Sequence, residues 1–187
     1  MKETLDTLYK HFGLVHRVTL KAVGLFDDCD LDFRPRPNRR SVSELIYHMY
    51  SAQKTLARAA REGGFKGYMQ IPEESEAALM TSVSELMAYA ESCQVYASDA
   101  LAYLTDEKLV QVIEMPPNFG VSSAPAWQCF TFGYQEHWHH RGELWIYMSL
   151  LGKPYVDIFD YKVRQENDGG AKFTTRIGYD DRNSTRG

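Results

Sequence analysis

Leu5, Leu8, Phe12, Val15, Thr19, Val23 and Phe26 recur at steps of three and four residues, the spacing that lines one face of an α-helix. The pattern predicts a first helix over 3–27, stopped by Asp27-Asp28. Ser41-Val-Ser-Glu44 then reads as a capping box: the Ser hydroxyl and the Glu carboxylate satisfy backbone N–H groups that a helix start leaves free. A second helix over 42–62 follows and ends at Gly63-Gly64, whose backbone suits a C-terminal stop. Leu79, Val83, Leu86, Ala90, Cys93, Ala97, Leu101 and Leu104 keep the same alternation and predict a third helix over 77–104. Ser122-Ser123, with Pro125 just inside, signals the start of a fourth helix over 124–151, which Gly152 and Pro154 end. Leu8, Phe12, Leu86, Ala90, Leu101 and Leu144 are expected in the core.

The stretch from Phe65 to Glu76 is too long for a tight turn and fits a crossover between distant helices. The expected fold class is therefore all-α, a four-helix bundle with one long crossover connection. The C-terminal tail has a different character. Tyr161-Lys-Val-Arg and Lys172-Phe-Thr-Thr-Arg-Ile flank Asn167-Asp-Gly-Gly170, a hairpin-turn signal. An isolated two-stranded hairpin is marginal without a packing surface, so a small hairpin and a disordered tail both stand. The expected organisation is one bundle domain over 1–160 and a tail over 161–187.

Composition changes this picture little. At 187 residues, 44% hydrophobic and 25% charged, the chain suits a single domain large enough to bury a core. A net charge of −4 argues against general nucleic-acid binding. One basic cluster departs from the balance, Arg34-Pro-Arg-Pro-Asn-Arg-Arg40, either a solvated loop or a patch for a phosphate or another acidic ligand. Cys29, Cys93 and Cys129 are odd in number and share no close spacing, which disfavours a disulfide framework and a cysteine-based zinc site. No apolar run reaches membrane-spanning length and the N-terminus lacks a signal-peptide pattern, so a cytoplasmic protein that does not engage membrane is expected.

The chemistry is concentrated in Gln135-Glu-His-Trp-His-His-Arg-Gly-Glu-Leu144, which holds three of the six histidines. With Gly142, Ser149 and Arg141 taken as the outward side, the opposite stripe carries Glu136, His140, Glu143, Tyr147 and Leu151. Glu136 and His140 are then neighbours at i and i+4, a spacing at which two helical side chains share one ion. His137 and His139 fall to either side of the stripe, with His139 expected as a bystander. His48 sits alone on the apolar face of the second helix, among Leu45, Met49, Ala52 and Leu56. Two readings stand: a satisfied core histidine, or one member of a divalent-metal site formed with Glu136 and His140. A di-iron bundle would need two Glu-x-x-His motifs and the chain has only Glu136-x-x-His139. There is no His-Glu-x-x-His, no phosphate-cradling glycine loop and no Gly-x-Ser-x-Gly elbow.

The lone His48, then His139-His-Arg-Gly-Glu-Leu144, then Tyr147-Met-Ser-Leu-Leu-Gly-Lys-Pro154, together resemble the DinB-like family over roughly residues 1–160. The resemblance implies a metal-dependent four-helix bundle of up-down-down-up connectivity, often a homodimer, with a divalent ion on three histidines. Some relatives are S-transferases or isomerases that use a low-molecular-weight thiol such as bacillithiol, mycothiol or glutathione. Carried over, the ligands fall on His48 and His140, while the first ligand of the fourth helix falls on Glu136, where the family pattern has histidine. His137 is the second choice there. Two His and one carboxylate remain a competent set for Zn, Ni, Mn or Fe. The family's usual Gln after Arg-Gly is Glu143 here.

A bound ion lowers the pKa of a coordinated water or thiol, the physical basis of thiol-transfer or hydrolytic chemistry on a small electrophilic substrate. Glu143, Tyr47 and Tyr147 are the candidate groups for orienting a ligand or shuttling a proton. The opposing expectation is a non-catalytic dimeric bundle acting as a binding or scaffolding module, its metal site degenerate.

Overall fold

The computed structural model describes residues 1–65 and 76–161, with the side chain of Asn118 left aside. Within them the chain is mainly helical. Four long helices, α1 (Lys2–Val23), α2 (Val42–Glu62), α3 (Val83–Tyr103) and α5 (Ala126–Leu150), are joined by a short helix α4 (Asp106–Leu109) and two three-residue strands, β1 (Val112–Glu114) and β2 (Ser123–Pro125). No described helix is long and apolar enough to cross a membrane. The hairpin expected around Asn167–Gly170, and residues 66–75 of the crossover, lie outside the described residues.

Local chemistry sets the helix limits. Ser41 caps α2 by accepting from the Glu44 amide, while the Glu44 carboxylate accepts from the Ser41 amide at 2.9 Å. Gly63, at φ 76°, takes the left-handed turn that ends the helix. A second capping box, Ser82 with Glu85, starts α3 at Val83, later than the expected 77. Leu79, read as part of that stripe, lies outside the helix and is exposed. The first helix also stops early, at Val23, and Leu8, expected in the core, is half-buried beside it. Ser123 does not begin a helix: it pairs with Glu114 in the antiparallel β1–β2 ladder, and Pro125 occupies the cap position of α5.

α2 packs most extensively against α5 and α3. The buried apolar side chains form two clusters. One joins the first half of α1 (Leu5, Tyr9, Phe12, Val15), the ends of α2 and α3 (Leu56, Ala60, Leu101) and the start of α5 (Cys129, Phe130), with Ile113 and Ala124 of the strands against it. The other joins the end of α1 (Val18, Ala22, Val23), the starts of α2 and α3 (Leu45, Met49, Leu86, Ala90) and the end of α5 (Leu144, Met148). After α5 the chain turns back at Gly152 (φ 67°) and runs along the helix, held where Trp145 Nε1 donates to the Val156 carbonyl and Arg141 Nη2 to that of Ile158.

Between the clusters every long helix contributes buried polar side chains. They are His16 and Thr19 from α1, Tyr50 and Gln53 from α2, Gln94 from α3, and His137 and Arg141 from α5. Gln53 Nε2 donates to Gln94 Oε1 at 2.7 Å. His16 lies between the Tyr50 hydroxyl (2.9 Å) and the exposed carboxylate of Glu91 (2.6 Å). Burial lowers the His16 pKa despite Glu91, so a neutral ring donating to Glu91 and accepting from Tyr50 satisfies all three groups.

Candidate metal centre

His48 of α2 and Glu136 and His140 of α5 come together beside this polar layer. Glu136 Oε2 lies 3.2 Å from His140 Nε2 and 3.8 Å from His48 Nε2, and the two imidazole rings meet edge to face at 4.6 Å. The neighbouring imidazoles of His140 and then His48 hold the Glu136 carboxyl well below the usual carboxylate range. The cluster reaches from the interior to the surface: His140 is buried, His48 is 15% exposed and Glu136 44%. All three donor atoms lie within 4.8 Å of one another.

Donor atoms each about 2.0–2.2 Å from one tetrahedral ion lie roughly 3.4 Å apart. The 3.2 and 3.8 Å separations straddle that spacing and all three pairs lie within 4.8 Å, so two imidazole nitrogens and a carboxylate here have the chemistry, and close to the spacing, of a divalent-cation donor set. The other ring nitrogen of His140, Nδ1, is 2.8 Å from Glu143 Oε2. Both ring nitrogens of His140 therefore face a carboxylate, Nδ1 toward Glu143 and Nε2 toward Glu136; with a cation in the cluster the Glu143 contact would hold the proton on Nδ1 and leave Nε2 as the donor, the carboxylate–histidine pairing found behind metal-bound imidazoles. A second grouping, His139, His140 and Glu143, also has donor spacing. It draws on one helix and includes the exposed His139, whereas the first is anchored on two helices and already has Glu143 bracing it from behind. The first is the better site.

The remaining candidates are placed elsewhere. The Tyr47 hydroxyl donates to Glu76 and its ring stacks on Tyr89 of α3 at 4.8 Å, so it turns toward α3. The Tyr147 hydroxyl donates to the Arg40 carbonyl at 2.9 Å, on the Glu136–His140–Glu143 stripe but tied to the loop before α2. Of the three groups expected to assist the chemistry, only Glu143 touches the cluster.

The helical wheel of α5 needs correction. Arg141, taken as marking the outward side, is 1% exposed, and His137, placed beside the inward stripe, is fully buried. The inward face runs through Cys129, Gly133, His137, His140 and Leu144, so Glu136 and Glu143 flank it and look partly to solvent. Arg141 can be buried because Trp138 and Trp145 sandwich its guanidinium at 4.7 Å on each side. His137 is not a substitute ligand: its Nε2 is 3.1 Å from Thr19 Oγ1, whose own hydrogen goes to the Val15 carbonyl. His137 therefore donates from Nε2, and burial keeps the ring neutral. Its Nδ1, with Nε and Nη1 of Arg141, has no protein partner among the described residues.

The polar layer was not anticipated. Its signal is a mid-helix polar pair three or four residues apart in every long helix: His16/Thr19, Tyr50/Gln53, Glu91/Gln94 and His137/Arg141.

The sequence model of the DinB superfamily matches residues 11–144. No curated protein matches the chain. Among solved structures it is similar to a DinB-like protein from Bacillus subtilis, at 19% identity and TM-score 0.65, over 81% of this chain and 96% of that one. A DinB-like protein from Bacillus cereus aligns at 18% identity and TM-score 0.60, over 79% of this chain and 92% of that one. A mycothiol-dependent maleylpyruvate isomerase aligns at 16% identity and TM-score 0.60 over 77% of this chain, which spans 60% of the isomerase's length.

Proposed function

The chain belongs to the DinB superfamily, and from that premise we propose that it is a metal-dependent enzyme built on a four-helix bundle, acting with a low-molecular-weight thiol on a small electrophilic molecule. The observation that carries the proposal is the convergence of His48 Nε2, Glu136 Oε2 and His140 Nε2, with Glu143 bracing His140 from behind. Three protein donors is the number used where a position is kept for water or substrate. A divalent ion held there supplies Lewis acidity that lowers the pKa of a water or a thiol near neutral pH. The protein's part is to fix the donors. Glu143 holds the His140 tautomer, Glu136 brings a negative charge between the two rings, and its partial exposure keeps the cluster open to a small molecule. That a similar structure is a mycothiol-dependent isomerase supports the thiol reading.

One observation favours a second reading, a non-catalytic module. The Glu136 carboxylate lies against both imidazoles, 3.2 Å from His140 Nε2 and 3.8 Å from His48 Nε2, so the three side chains also form a polar cluster that can satisfy itself without an ion. Elemental analysis of protein purified without a polyhistidine tag separates the two. A stoichiometric divalent metal, together with turnover of an electrophile in the presence of bacillithiol, mycothiol or glutathione, supports the enzyme; metal-free protein inert with every thiol retires it.

A further inference from the structure

We propose that the Arg34–Arg40 turn is an anion-reading element for the site, with Arg39 binding a carboxylate on the far end of the small molecule whose donor atom enters the His48–Glu136–His140 cluster. This rests on the reading of that cluster as a ligand site and adds the class of ligand: a small organic acid, its reactive group at one end and a carboxylate at the other.

The residues Glu136, His140, Glu143 and Tyr147 follow one another along a single face of α5 at steps of four, three and four. From His140 to Tyr147 is seven residues, roughly 10 Å along the helix axis at about 1.5 Å per residue. There the Tyr147 hydroxyl donates to the Arg40 carbonyl at 2.9 Å, and Phe33 meets the Tyr147 ring edge to face. The turn is thus docked at the end of the stripe that carries the cluster. Burial and the Glu143 carboxylate push the Tyr147 pKa up, and the charges of Arg39, Arg40 and Arg34 oppose that rise.

The turn is built rather than loose. Arg34 forks onto both oxygens of Glu44 and also donates to the Arg39 carbonyl at 2.8 Å, while Glu44 accepts from the Ser41 amide at the start of α2. Pro35 and Pro37 stiffen the peptide between. Three of the nearby acids are engaged: Glu44 with Arg34, Glu143 with His140, and Glu136 with the two imidazoles. Arg39 is exposed, and its guanidinium has no hydrogen-bond or ion-pair partner among the described residues. A planar guanidinium on a braced turn is suited to a carboxylate, which it binds through two parallel N–H donors. In a chain of net charge −4, Arg36, Arg39 and Arg40 concentrate positive charge on this turn, with Arg34 paired to Glu44.

The test compares glutathione with its diethyl ester, which removes both carboxylates and keeps the thiol, by calorimetric titration into the zinc-loaded protein and its R39Q variant. Zinc content and melting temperature report that R39Q is folded. Wild type should bind glutathione about tenfold more tightly than the ester, R39Q should lose that preference, and R39K should restore part of it. Equal affinities in wild type, or a preference that survives in R39Q, overturns the proposal. If the protein holds no zinc, or holds zinc and binds neither thiol, the reading of the cluster fails first. Succinate and succinamide are then titrated into the same protein with the amide signals of residues 36–44 as readout, and the lack of an Arg39-dependent preference for succinate overturns the anion site as well.

Discussion

Replacing Glu143 by Ala should weaken metal binding without unfolding the protein. The only contact Glu143 makes to the cluster is the 2.8 Å bond to His140 Nδ1. Its removal frees the imidazole to rotate and to shift its proton to Nε2, where it blocks the donor. Loss of such an outer partner typically costs about 10- to 100-fold in metal affinity. With zinc at about 100 times the wild-type Kd, binding stabilises the native state by about 2.7 kcal/mol. At the same zinc concentration a tenfold weaker variant retains about 1.4 kcal/mol and a hundredfold weaker one about 0.4 kcal/mol. For a chain of 187 residues, at about 2–4 °C per kcal/mol, the zinc-induced rise in Tm should fall from roughly 5–11 °C to roughly 1–6 °C. Scanning calorimetry with and without zinc measures this directly. The zinc-free Tm should barely move, because Glu143 is a partly exposed side chain and such substitutions usually stay within about 0.5 kcal/mol. An unchanged zinc response in the variant would refute the role given to Glu143, and no response in the wild type would refute the metal centre.

Replacing His140 by Ala should abolish both stoichiometric metal and thiol-dependent turnover, whereas His139 replaced by Ala should leave both nearly intact; elemental analysis and a turnover screen decide it. Because burial lowers the His16 pKa, the unfolded chain takes up that proton first, so the contribution is present above about pH 6.5 and is lost as pH falls toward the folded value, by up to about 1.4 kcal/mol per pH unit. Urea melts between about pH 7 and 5 should therefore be steeper in pH for wild type than for His16→Gln; parallel slopes would show that His16 is not held neutral. Phe12, fully buried among Tyr9, Tyr134 and His137, should cost about 3–5 kcal/mol when replaced by Ala, read as a shift of the urea midpoint.

What the sequence made legible is what a single helix decides alone. Ser41–Glu44 and Gly63 act through their own backbone neighbours, and both ends of α2 fall where the pattern puts them. Ser122-Ser123 has the same local chemistry, yet Ser123 is claimed by pairing with Glu114, a partner nine residues away. The periodicity of α3 ran on through Leu79 because an apolar residue at the right phase carries no sign that the chain has already left the helix. α5 was the least readable. Aromatic and charged side chains surround it, so a wheel drawn from polarity alone set Arg141 outside, and only the two indoles that enclose its guanidinium explain why it lies inside. His48, Glu136 and His140, the three expected ligands, nonetheless lie together, because the i, i+4 pair on α5 and the isolated imidazole on α2 survive a small rotation of the wheel.

The buried polar layer has a consequence for how the helices are indexed. An apolar core tolerates sliding, since one leucine packs much like the next. A slip of one turn, about 5.4 Å, would instead carry His16 and Thr19, or His137 and Arg141, into an apolar cluster, where each stranded polar group costs about 1–3 kcal/mol. Tyr50 is two residues from His48, His137 follows Glu136, and Arg141 follows His140. The layer therefore works as a shared datum: by penalising every other alignment of α2 and α5, it delivers three side chains from two separate helices to the same height.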